Sequence, residues 1–492
     1  MDTCIEKEYA LKIGEVGIKE IGFLKNLDEV KTKKGGKLCL GLECLDRDLW
    51  DFDRAFPLIK KTGVHRVRIQ SGWQKTEKEK GVYDFKWLDD IVDKLLMAEI
   101  EPFLSLSYGN KIYCSNFEKC PNIENGGVGH IPIETEEERE GWKNYIRATI
   151  EHFKDRITYY EILNEPDCSV FCCTDMEWNY AYFELIKITA PIIREIMPSA
   201  KIISCTAGFG STDWVLRVGV GDYVDIHSFH GYTFTPELSS GKDQTNRFSY
   251  YKKHAPHLKL WRGEAGCPSY NDPQSTGALS EIKASEIKQA KFLLRHLLCD
   301  LENDTIELTS YFHAYDFKHF SGKVRYHYGL ITHEELSKKP SYNCFQVLTH
   351  LFDSEVKECK DYSASFVWLN KYDPYEYEIS NEMLGLLKFS AFEKNGEIFY
   401  SYYLPVAIDD ETVVYKILLS IPRIEGKMEN PVILDPLTRK IYPVSDPCGF
   451  KAPLTDYPMF IVDKGMIENI SKITRIEEKK EFIQKMEQRD HE

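Results

Sequence analysis

Residues 157–166 read ITYYEILNEP, and this stretch decides the fold. Its first seven residues form a nearly continuous apolar run of β-branched and aromatic side chains, which is typical of a parallel strand covered on both faces. The run ends in Asn164-Glu165-Pro166, and the carboxyl ends of buried parallel strands are where α/β barrels carry their chemistry. The stretch therefore predicts a barrel strand and a candidate catalytic glutamate.

Seven further runs of this kind lie on either side of it. The eight runs together cover residues 37–43, 64–71, 101–107, 157–163, 200–206, 223–229, 258–263 and 306–315. Amphipathic helices are predicted between several of them; before the fourth run, Thr135 and Glu138 form a capping box ahead of an apolar helical stripe. This repetition predicts the α/β class and a (β/α)8 TIM barrel over residues 33–350. The alternative is an open doubly wound sheet, but no G-x-G-x-x-G follows any of the runs.

The pattern changes after the barrel. Residues 351–463 contain short alternating strands with turn signals, such as LLKFSAFEKNGEIFYSYYL at 386–404, in which Asn395-Gly396 is the expected hairpin turn. This region predicts an accessory all-β sandwich. Residues 1–32 are expected to add a strand to the sandwich, and residues 464–492 are expected to form a charged helical tail.

The composition excludes several classes of protein. The 492 residues include 63 Lys and Arg against 78 Asp and Glu, a formal net charge of −15, which argues against a nucleic-acid binder. No apolar run is long enough to span a membrane, and the charged N-terminus lacks the apolar core of a secretory signal. The 14 cysteines are therefore interpreted as mostly reduced thiols, which predicts a cytoplasmic protein.

A second glutamate, Glu264, follows the seventh run in the sequence LWRGEAG. If the fourth and seventh runs are barrel strands, Glu165 and Glu264 both lie at the barrel mouth. Hydrolysis of a glycosidic bond requires such a pair of carboxyl groups, one protonated and one ionised. The alternative for each glutamate is a structural ion pair.

Several segments together resemble clan A glycoside hydrolases, most closely glycoside hydrolase family 39, the group of β-xylosidases and α-L-iduronidases. They are GVHRVRIQSGW, EPFLSLSYGN, YYEILNEPD, IHSFHGY and LWRGEAG, and the resemblance covers roughly residues 37–463. It implies a retaining double displacement with Glu165 as acid/base and Glu264 as nucleophile. No cofactor and no metal is needed for this chemistry.

The resemblance also assigns roles around the two glutamates. Asn164 matches the residue that bonds the sugar 2-hydroxyl, and Arg68 matches the arginine that keeps the nucleophile charged. His230 and Tyr232 match a sugar contact and a contact to the nucleophile. The alternatives are a structural ion pair for Arg68 and a satisfied core histidine for His230.

Other residues near the expected site are less specific. Trp73, Tyr108 and Asn110 follow the second and third strands and are predicted to bind substrate, although Trp73 either stacks on a sugar or closes the barrel top. Glu43, after the first strand, is expected to bind a sugar hydroxyl or to pair with Arg47 or Arg68.

The end of the eighth run departs from the clan pattern. It reads YFHAYDF where many clan members carry a tryptophan that forms the floor of the sugar site. His313, Tyr315 or Phe317 is expected to replace that tryptophan.

Five cysteines lie in the loops after the third and fourth strands: Cys114, Cys120, Cys168, Cys172 and Cys173. Their spacing matches no strong structural-zinc pattern, so they are interpreted as reduced thiols; a zinc site or a disulfide is the alternative.

The sequence thus predicts a retaining glycosidase that releases terminal sugars from small glycosides or short oligosaccharides, with β-xylosidase as the favoured activity. A small carbohydrate is the expected partner, nucleic acid and membrane are not, and a homo-oligomer is left open. The alternatives are another clan A glycosidase (β-glucosidase, β-galactosidase, uronide-specific enzyme or endo-glycanase), a non-catalytic carbohydrate-binding protein, and a metal-dependent hydrolase that uses the loop cysteines.

Overall fold

The computed structural model describes most of the chain, namely residues 17–25, 27–233, 235–239, 245–269, 277–279, 284–318, 325–369, 387–410, 414–422, 428–446, 449–468 and 472–473. The strands, in chain order, are β1 (Gly22–Lys25), β2 (Leu38–Gly41), β3 (Arg66–Gln70), β4 (Glu101–Leu106), β5 (Tyr159–Ile162), β6 (Lys201–Thr206), β7 (Ile226–His230), β8 (Lys259–Ala265), β9 (Ile306–Tyr311), β10 (Phe317–Lys318), β11 (Arg325–Tyr326), β12 (Lys357–Glu358), β13 (Ser365–Trp368), β14 (Lys388–Lys394), β15 (Glu397–Tyr403), β16 (Val414–Ser420), β17 (Pro431–Leu434), β18 (Lys440–Pro443), β19 (Phe450–Thr455), β20 (Met459–Asp463) and β21 (Lys472–Ile473).

The α-helices are α1 (Phe52–Ile59), α2 (Trp73–Thr76), α3 (Lys86–Met97), α4 (Glu136–Phe153), α5 (Trp178–Ile196), α6 (Phe209–Arg217), α7 (Pro236–Ser239), α8 (Thr245–His254), α9 (Glu286–Leu301), α10 (Pro340–Leu351) and α11 (Lys464–Glu468). Short 3-10 helices are Leu27–Glu29, Leu45–Arg47, Lys60–Thr62, Phe117–Lys119 and Val220–Asp222.

Strands β2 to β9 form a closed parallel barrel in chain order, and β2 closes it against β9 with Leu38 opposite Thr309. Each of the eight apolar runs of the sequence contributes one of these strands, so the prediction of a TIM barrel is confirmed. The strands are almost wholly buried because helices cover the outer face and side chains fill the interior. One buried apolar cluster consists of Cys39, Phe103, Ile203, Ile226, Trp261 and Leu308.

Helix α4 shows how local sequence positions the barrel helices. The hydroxyl of Thr135 accepts a hydrogen bond from the backbone N–H of Glu138, and the Glu138 carboxylate accepts one from the backbone N–H of Thr135, which completes the predicted capping box. The apolar stripe of the helix is buried, and Trp142 donates from Nε1 to the hydroxyl of Thr189 in α5 at 2.7 Å. The helix is thereby fixed at its start and along its buried face.

The remaining strands build two antiparallel sheets, one of eight strands in the order β12-β14-β15-β20-β17-β18-β1-β21 and one of three strands, β13-β16-β19. The hairpin β14–β15 turns at Asn395 and Gly396, whose φ angles of 54° and 86° are those of the tight turn that Asn-Gly favours. The accessory sandwich expected from the sequence is therefore present.

The first and last described strands lie next to each other in this larger sheet. Strand β1 pairs with β18 on one side, where Gly22 lies opposite Ile441, and with β21 on the other. The predicted helical tail is therefore corrected in part: Lys464–Glu468 is helical, but Lys472–Ile473 is a strand because it pairs with β1. Residues 1–16 of the predicted N-terminal segment and residues 469–471 and 474–492 of the predicted tail lie outside the described residues. No helix in the described part of the chain combines the length and the apolar character that a membrane span requires.

Candidate active site

The guanidinium of Arg68 in β3 organises the carboxyl end of the barrel. It donates to Glu161 in β5 from Nε and Nη2 (3.1 and 2.5 Å to Oε1), and Nη2 also donates to Asn164 Oδ1 at 2.7 Å. Its Nη1 donates to Glu43 Oε1 at 3.0 Å and to Glu264 Oε1. One fully buried arginine therefore binds four side chains delivered by three other strands.

Glu264 lies at the end of β8 and is 7% exposed. Its Oε1 accepts from Arg68, and its Oε2 accepts the hydroxyl hydrogen of Tyr232 at 3.0 Å. Burial on its own raises the pKa of this carboxyl, but His230, Arg68 and Tyr232 outweigh it and hold the pKa below its ordinary value. Glu264 is therefore ionised at neutral pH, as a nucleophile must be.

Glu165 pairs with the imidazole of His230, whose Nδ1 lies 2.5 Å from Glu165 Oε1. Burial raises the pKa of Glu165, and the charges of Glu264 and Asp167 add to this effect against the lowering by His230. Burial lowers the pKa of His230, but Glu264, Cys205 and Glu165 raise it well above its ordinary value. The His230–Glu165 pair therefore holds a proton at neutral pH.

The backbone at Glu165 is strained. Its φ of 46° lies in the left-handed region, which a residue with a Cβ adopts only at an energetic cost, and Leu163 is also left-handed with φ 62°. Opposite them, the pairing of β7 with β8 shifts between Phe229 and His230, so that His230 lies opposite Glu264. Both irregularities aim side chains into the barrel mouth.

The two glutamates are close together. An oxygen of Glu165, a ring nitrogen of His230 and an oxygen of Glu264 all lie within 4.8 Å of one another. The His230–Glu165 pair thus retains a proton while Glu264 is ionised at short range. This is the arrangement that two-carboxylate hydrolysis of a glycoside requires.

A cavity of about 1070 Å³ opens above these residues. Among the predicted site residues, it is lined by Glu43, Tyr108, Asn164, Glu165, His230, Tyr232 and Glu264. Arg68 lies beneath them and reaches the cavity only through its hydrogen bonds. The sequence thus brings eight of its twelve predicted site residues together in or directly below one cavity.

The structure corrects the prediction for Trp73 and Asn110, which do not line this cavity. Gly72 takes a left-handed φ of 60° and turns the chain, so the fully buried Trp73 ring stacks on Tyr113 at 5.2 Å and donates from Nε1 to Glu77. Asn110 donates from Nδ2 to the Glu77 carbonyl, and its Oδ1 accepts a hydrogen bond from a backbone N–H of its own loop. Trp73 therefore closes the barrel top, and Asn110 fixes the loop.

The prediction that His313 or Tyr315 forms the floor of the sugar site is also wrong, because both side chains are fully buried and do not line the cavity. Tyr315 stacks on Trp50 and donates its hydroxyl to the His333 carbonyl at 2.7 Å. The ring nitrogens of His313 lie 2.8 Å from the Tyr315 carbonyl and 3.2 Å from the Glu43 carbonyl. Both side chains pack behind the cavity wall.

The aromatic residue that does line the cavity at the end of β9 is Phe312, which the sequence analysis missed. Its ring meets Tyr232 and Tyr328 edge to face, with centroids 6.3 and 5.4 Å apart, and Phe317 also lines the cavity. Phe312 directly follows β9, much as Glu264 lies one residue before the end of β8, and this position at the strand end was the signal that could have identified it.

Glu161 is a second residue of the site that was not predicted from the sequence. It is a carboxylate inside an apolar strand, and a charged residue in such a strand needs a buried partner. That partner is Arg68, so the YYEIL pattern already contained the signal.

The five loop cysteines lie beside the site. Cys168 lines the cavity, and the Cys120 thiol interacts with the thiols of Cys114 and Cys173. Burial raises the pKa of all five, which keeps them protonated. The twelve cysteines in the described residues are free thiols, and the loop cysteines do not occur among the described groups of three or more ligand atoms that lie close enough to hold a metal ion.

Comparisons with known proteins agree with this geometry. The sequence model of glycosyl hydrolases family 39 matches residues 45–374. A β-xylosidase of Geobacillus stearothermophilus is 25% identical over 254 residues, 47% of this chain and 45% of the relative. A β-galactosidase of Clostridium cellulovorans, BgaA, is 32% identical over 141 residues, 26% of this chain and 21% of the relative.

A solved structure supports the fold. A family 39 glycoside hydrolase from the gut symbiont Bacteroides cellulosilyticus WH2 superposes with a TM-score of 0.62 at 21% identity, covering 88% of this chain and 81% of that one. The chain aligns with less than half the length of either curated relative above.

The barrel and its paired glutamates are typical of glycoside hydrolases. The match over residues 45–374 spans about two thirds of the sequence, and the chain belongs to glycosyl hydrolases family 39.

Proposed function

We propose that this protein is a retaining glycosidase that releases terminal sugars from small β-linked glycosides, with β-xylosides as the favoured substrates. The observation that carries the proposal is that one carboxyl oxygen of Glu165 lies within 4.8 Å of one carboxyl oxygen of Glu264. Retaining enzymes hold their two carboxyl groups about 5–5.5 Å apart, whereas inverting enzymes separate them by about 6.5–9.5 Å to admit a water. The spacing therefore favours direct attack by Glu264.

In the first step Glu264 attacks the anomeric carbon and forms a glycosyl ester, while the bond from that carbon to the leaving oxygen breaks. The proton held by the His230–Glu165 pair goes to the leaving oxygen from Glu165. Arg68 and Tyr232, which both donate to Glu264, hold the attacking carboxylate in place.

In the second step water attacks the anomeric carbon, Glu165 accepts the proton of that water, and Glu264 leaves as a carboxylate. Two inversions at the same carbon return the starting configuration. The reaction needs no redox partner, since every proton and electron pair is exchanged among substrate, water and the two glutamates.

The other residues of the cavity fit a sugar ring. Because Asn164 Oδ1 accepts from Arg68, its amide N–H groups are left for a sugar hydroxyl. Phe312, Tyr232 and Tyr328 provide aromatic edges and faces of the kind on which sugar rings pack.

The substrate sugar is tested with a panel of aryl β-glycosides. The β-xylosidase relative supports the xyloside, and the β-galactosidase relative makes the galactoside the second candidate. We expect release of nitrophenol to be fastest from the β-xyloside, with β-galactoside, β-glucoside and β-glucuronide slower. A Glu264→Gln variant is the matched control for background hydrolysis, and no turnover of any glycoside above it favours a non-catalytic sugar-binding protein.

Action on chain ends is tested with short oligosaccharides of the preferred sugar. Monosaccharide alone as the earliest product supports the release of terminal sugars, and internal fragments contradict it. Cytoplasmic location stays a prediction, which the free thiols of the described cysteines support. Cell fractionation tests it.

A further inference from the structure

Glu43 is a third carboxyl group at the barrel mouth that the double displacement does not use. It lies two residues after β2, is 1% exposed and lines the cavity. Its Oε1 accepts from Arg68 Nη1 at 3.0 Å, whereas its Oε2 is buried and receives no hydrogen bond from the described residues. An ionised carboxylate whose oxygen is buried without a hydrogen-bond donor is costly. Protonation removes the charge and therefore most of this cost.

The charges around Arg68 do not balance. Glu43, Glu161 and Glu264 all accept hydrogen bonds from this one guanidinium, so three ionised carboxylates would face a single positive charge. Like charges at such distances in a poorly solvated site repel strongly, and a proton on one of them relieves the repulsion. The site therefore favours one neutral carboxylic acid among the three.

The hydrogen bonds show which of the three that is. Glu264 accepts from both Arg68 and Tyr232 and lies near His230. Glu161 also has one oxygen without a donor, but its other oxygen accepts two N–H groups from Arg68. From the other described residues Glu43 accepts one hydrogen bond, from an Nη1 that it shares with Glu264. It has the weakest hold on a negative charge.

The surroundings of Glu43 also favour its protonated form. Burial, with the charge of Glu264 adding to it, raises the pKa of Glu43 to about 8 against the lowering by Arg68. The group that faces its free oxygen is His313, whose Nε2 lies 3.6 Å from Oε2. Burial lowers the pKa of His313 to about 4, so this imidazole is neutral at neutral pH. The other titratable groups that interact with Glu43 include Cys39 in β2, Cys44 on its own loop and Tyr232, and Glu161 in β5 shares Arg68 with it. Asp46 and Arg47 follow on the same loop.

We propose that Glu43 is a neutral carboxylic acid in the free enzyme and gives up its proton when Glu264 becomes the glycosyl ester, so that Arg68 always faces the same number of anions. The inference rests on the proposed function. Esterification removes the negative charge of Glu264, and with it the repulsion that favours the neutral form of Glu43. The proton leaves through the cavity to water, and it returns when hydrolysis regenerates the Glu264 carboxylate. Glu43 is thus a positioning residue that acts through Arg68.

Trapping the intermediate tests this coupling directly. A 2-deoxy-2-fluoro glycoside with a dinitrophenolate leaving group, which departs without a proton, labels Glu264, and proton release is followed with a pH indicator at pH 7. We expect Glu43→Gln, which mimics the neutral acid but cannot ionise, to release up to about one proton per site fewer than wild type. Glu43→Asp, which still titrates, keeps a release near that of wild type.

Glu161→Gln tests the charge argument itself. With one carboxylate fewer on Arg68, Glu43 should already be ionised in the free enzyme, so this variant should also release fewer protons than wild type on trapping. Equal release from wild type and Glu43→Gln, or a release from Glu161→Gln as large as that of wild type, overturns the inference. If the mass of the labelled protein shows no adduct on Glu264, the proposed function fails and the inference with it; an adduct with unchanged proton release defeats the inference alone.

A measurement on wild type guards against misfolded variants. Difference infrared spectra taken in H2O and in D2O distinguish a carboxylic acid, whose carbonyl band shifts on deuteration, from the new ester, whose band does not. Trapping is expected to remove one deuterium-sensitive acid band, that of Glu43, and to replace the carboxylate band of Glu264, which becomes the ester, by that of Glu43. A difference spectrum that shows the new ester but no loss of an acid band contradicts the exchange of charge.

Discussion

Two buried groups of charges in this protein differ in their balance of positive and negative charge. Between the barrel and the sandwich, Lys291 of α9 donates to Asp456 at 2.8 Å, one charge of each sign, and both side chains are fully buried. At the barrel mouth, the single guanidinium of Arg68 holds three carboxyl groups beside an open cavity. The first group is balanced and sealed, and the second is unbalanced and open to a ligand.

The difference separates structural from chemical use of buried charge. A matched pair has no net charge once the protein is folded, and the loss of one partner leaves a bare charge in the interior. An unbalanced cluster retains excess negative charge, which is stabilised by protons in the free enzyme and by the positive charge that develops on the sugar in the transition state. Changes at the first group are expected to affect stability, and changes at the second are expected to affect rate.

The largest expected effect is that of Glu264→Ala. Without the nucleophile no glycosyl ester forms, so kcat is expected to fall by about 10⁴-fold or more. The free energy of unfolding should hold or rise, because one of three crowded carboxylates is gone. Added azide should restore turnover and give a glycosyl azide of inverted configuration. Loss of stability together with activity, and no rescue by azide, would show that the residue is structural.

Glu165→Ala is expected to come next, with an effect that depends on the substrate. Substrates with poor leaving groups need the proton and should lose about 10²–10⁴-fold in kcat/KM, whereas dinitrophenyl glycosides should lose far less in the first step. A plot of rate against leaving-group pKa for wild type and variant measures this. Equal losses for good and poor leaving groups would contradict the assignment of the acid.

Lys291→Met tests the balanced pair. It leaves Asp456 buried without its partner, so the free energy of unfolding should fall by about 3–5 kcal/mol while kcat/KM of the folded enzyme is unchanged. Denaturant titration and steady-state kinetics measure the two quantities. The double variant Lys291→Met with Asp456→Leu is the control and should recover much of the stability; a change in kcat/KM would show that the two groups of charges are coupled.

The smallest expected effect separates Phe312 from Trp73. Phe312→Ala removes a ring from the cavity and should raise KM about tenfold, while Trp73→Phe should lower thermal stability and leave KM near that of wild type. The two variants are matched controls for each other, since each alters one aromatic side chain near the barrel mouth. A large change in KM for Trp73→Phe would restore the sugar-stacking role first predicted for it.

Much of this fold follows from sequence pattern. The eight strands could be predicted because parallel strands covered on both faces leave long apolar runs, and Asn395-Gly396 marks its hairpin because few other pairs adopt that turn. Glu165 and Glu264 could be placed because the carboxyl ends of barrel strands meet at one mouth. Sequence pattern together with the geometry of a barrel therefore predicted which strand ends lie near one another.

The direction in which a side chain points after the end of a strand could not be predicted from sequence pattern. Trp73 follows its strand as closely as Glu165 follows its own, but the left-handed Gly72 turns it into the wall, while the left-handed Glu165 projects into the cavity. The choice of Phe312 over His313 and Tyr315 depends likewise on the local path of the chain after β9. The excess of carboxylates around Arg68 could be found only from interatomic distances, because a sequence does not show how many carboxylates share one guanidinium.

The central claim is that Glu264 attacks the sugar directly, and the configuration of the first product tests it most directly. Proton NMR of an aryl β-glycoside reaction in its first minutes, before the sugar mutarotates, shows which anomer is released. The account predicts the β-anomer, formed by two successive inversions. Release of the α-anomer first would show a single displacement by water and would contradict it.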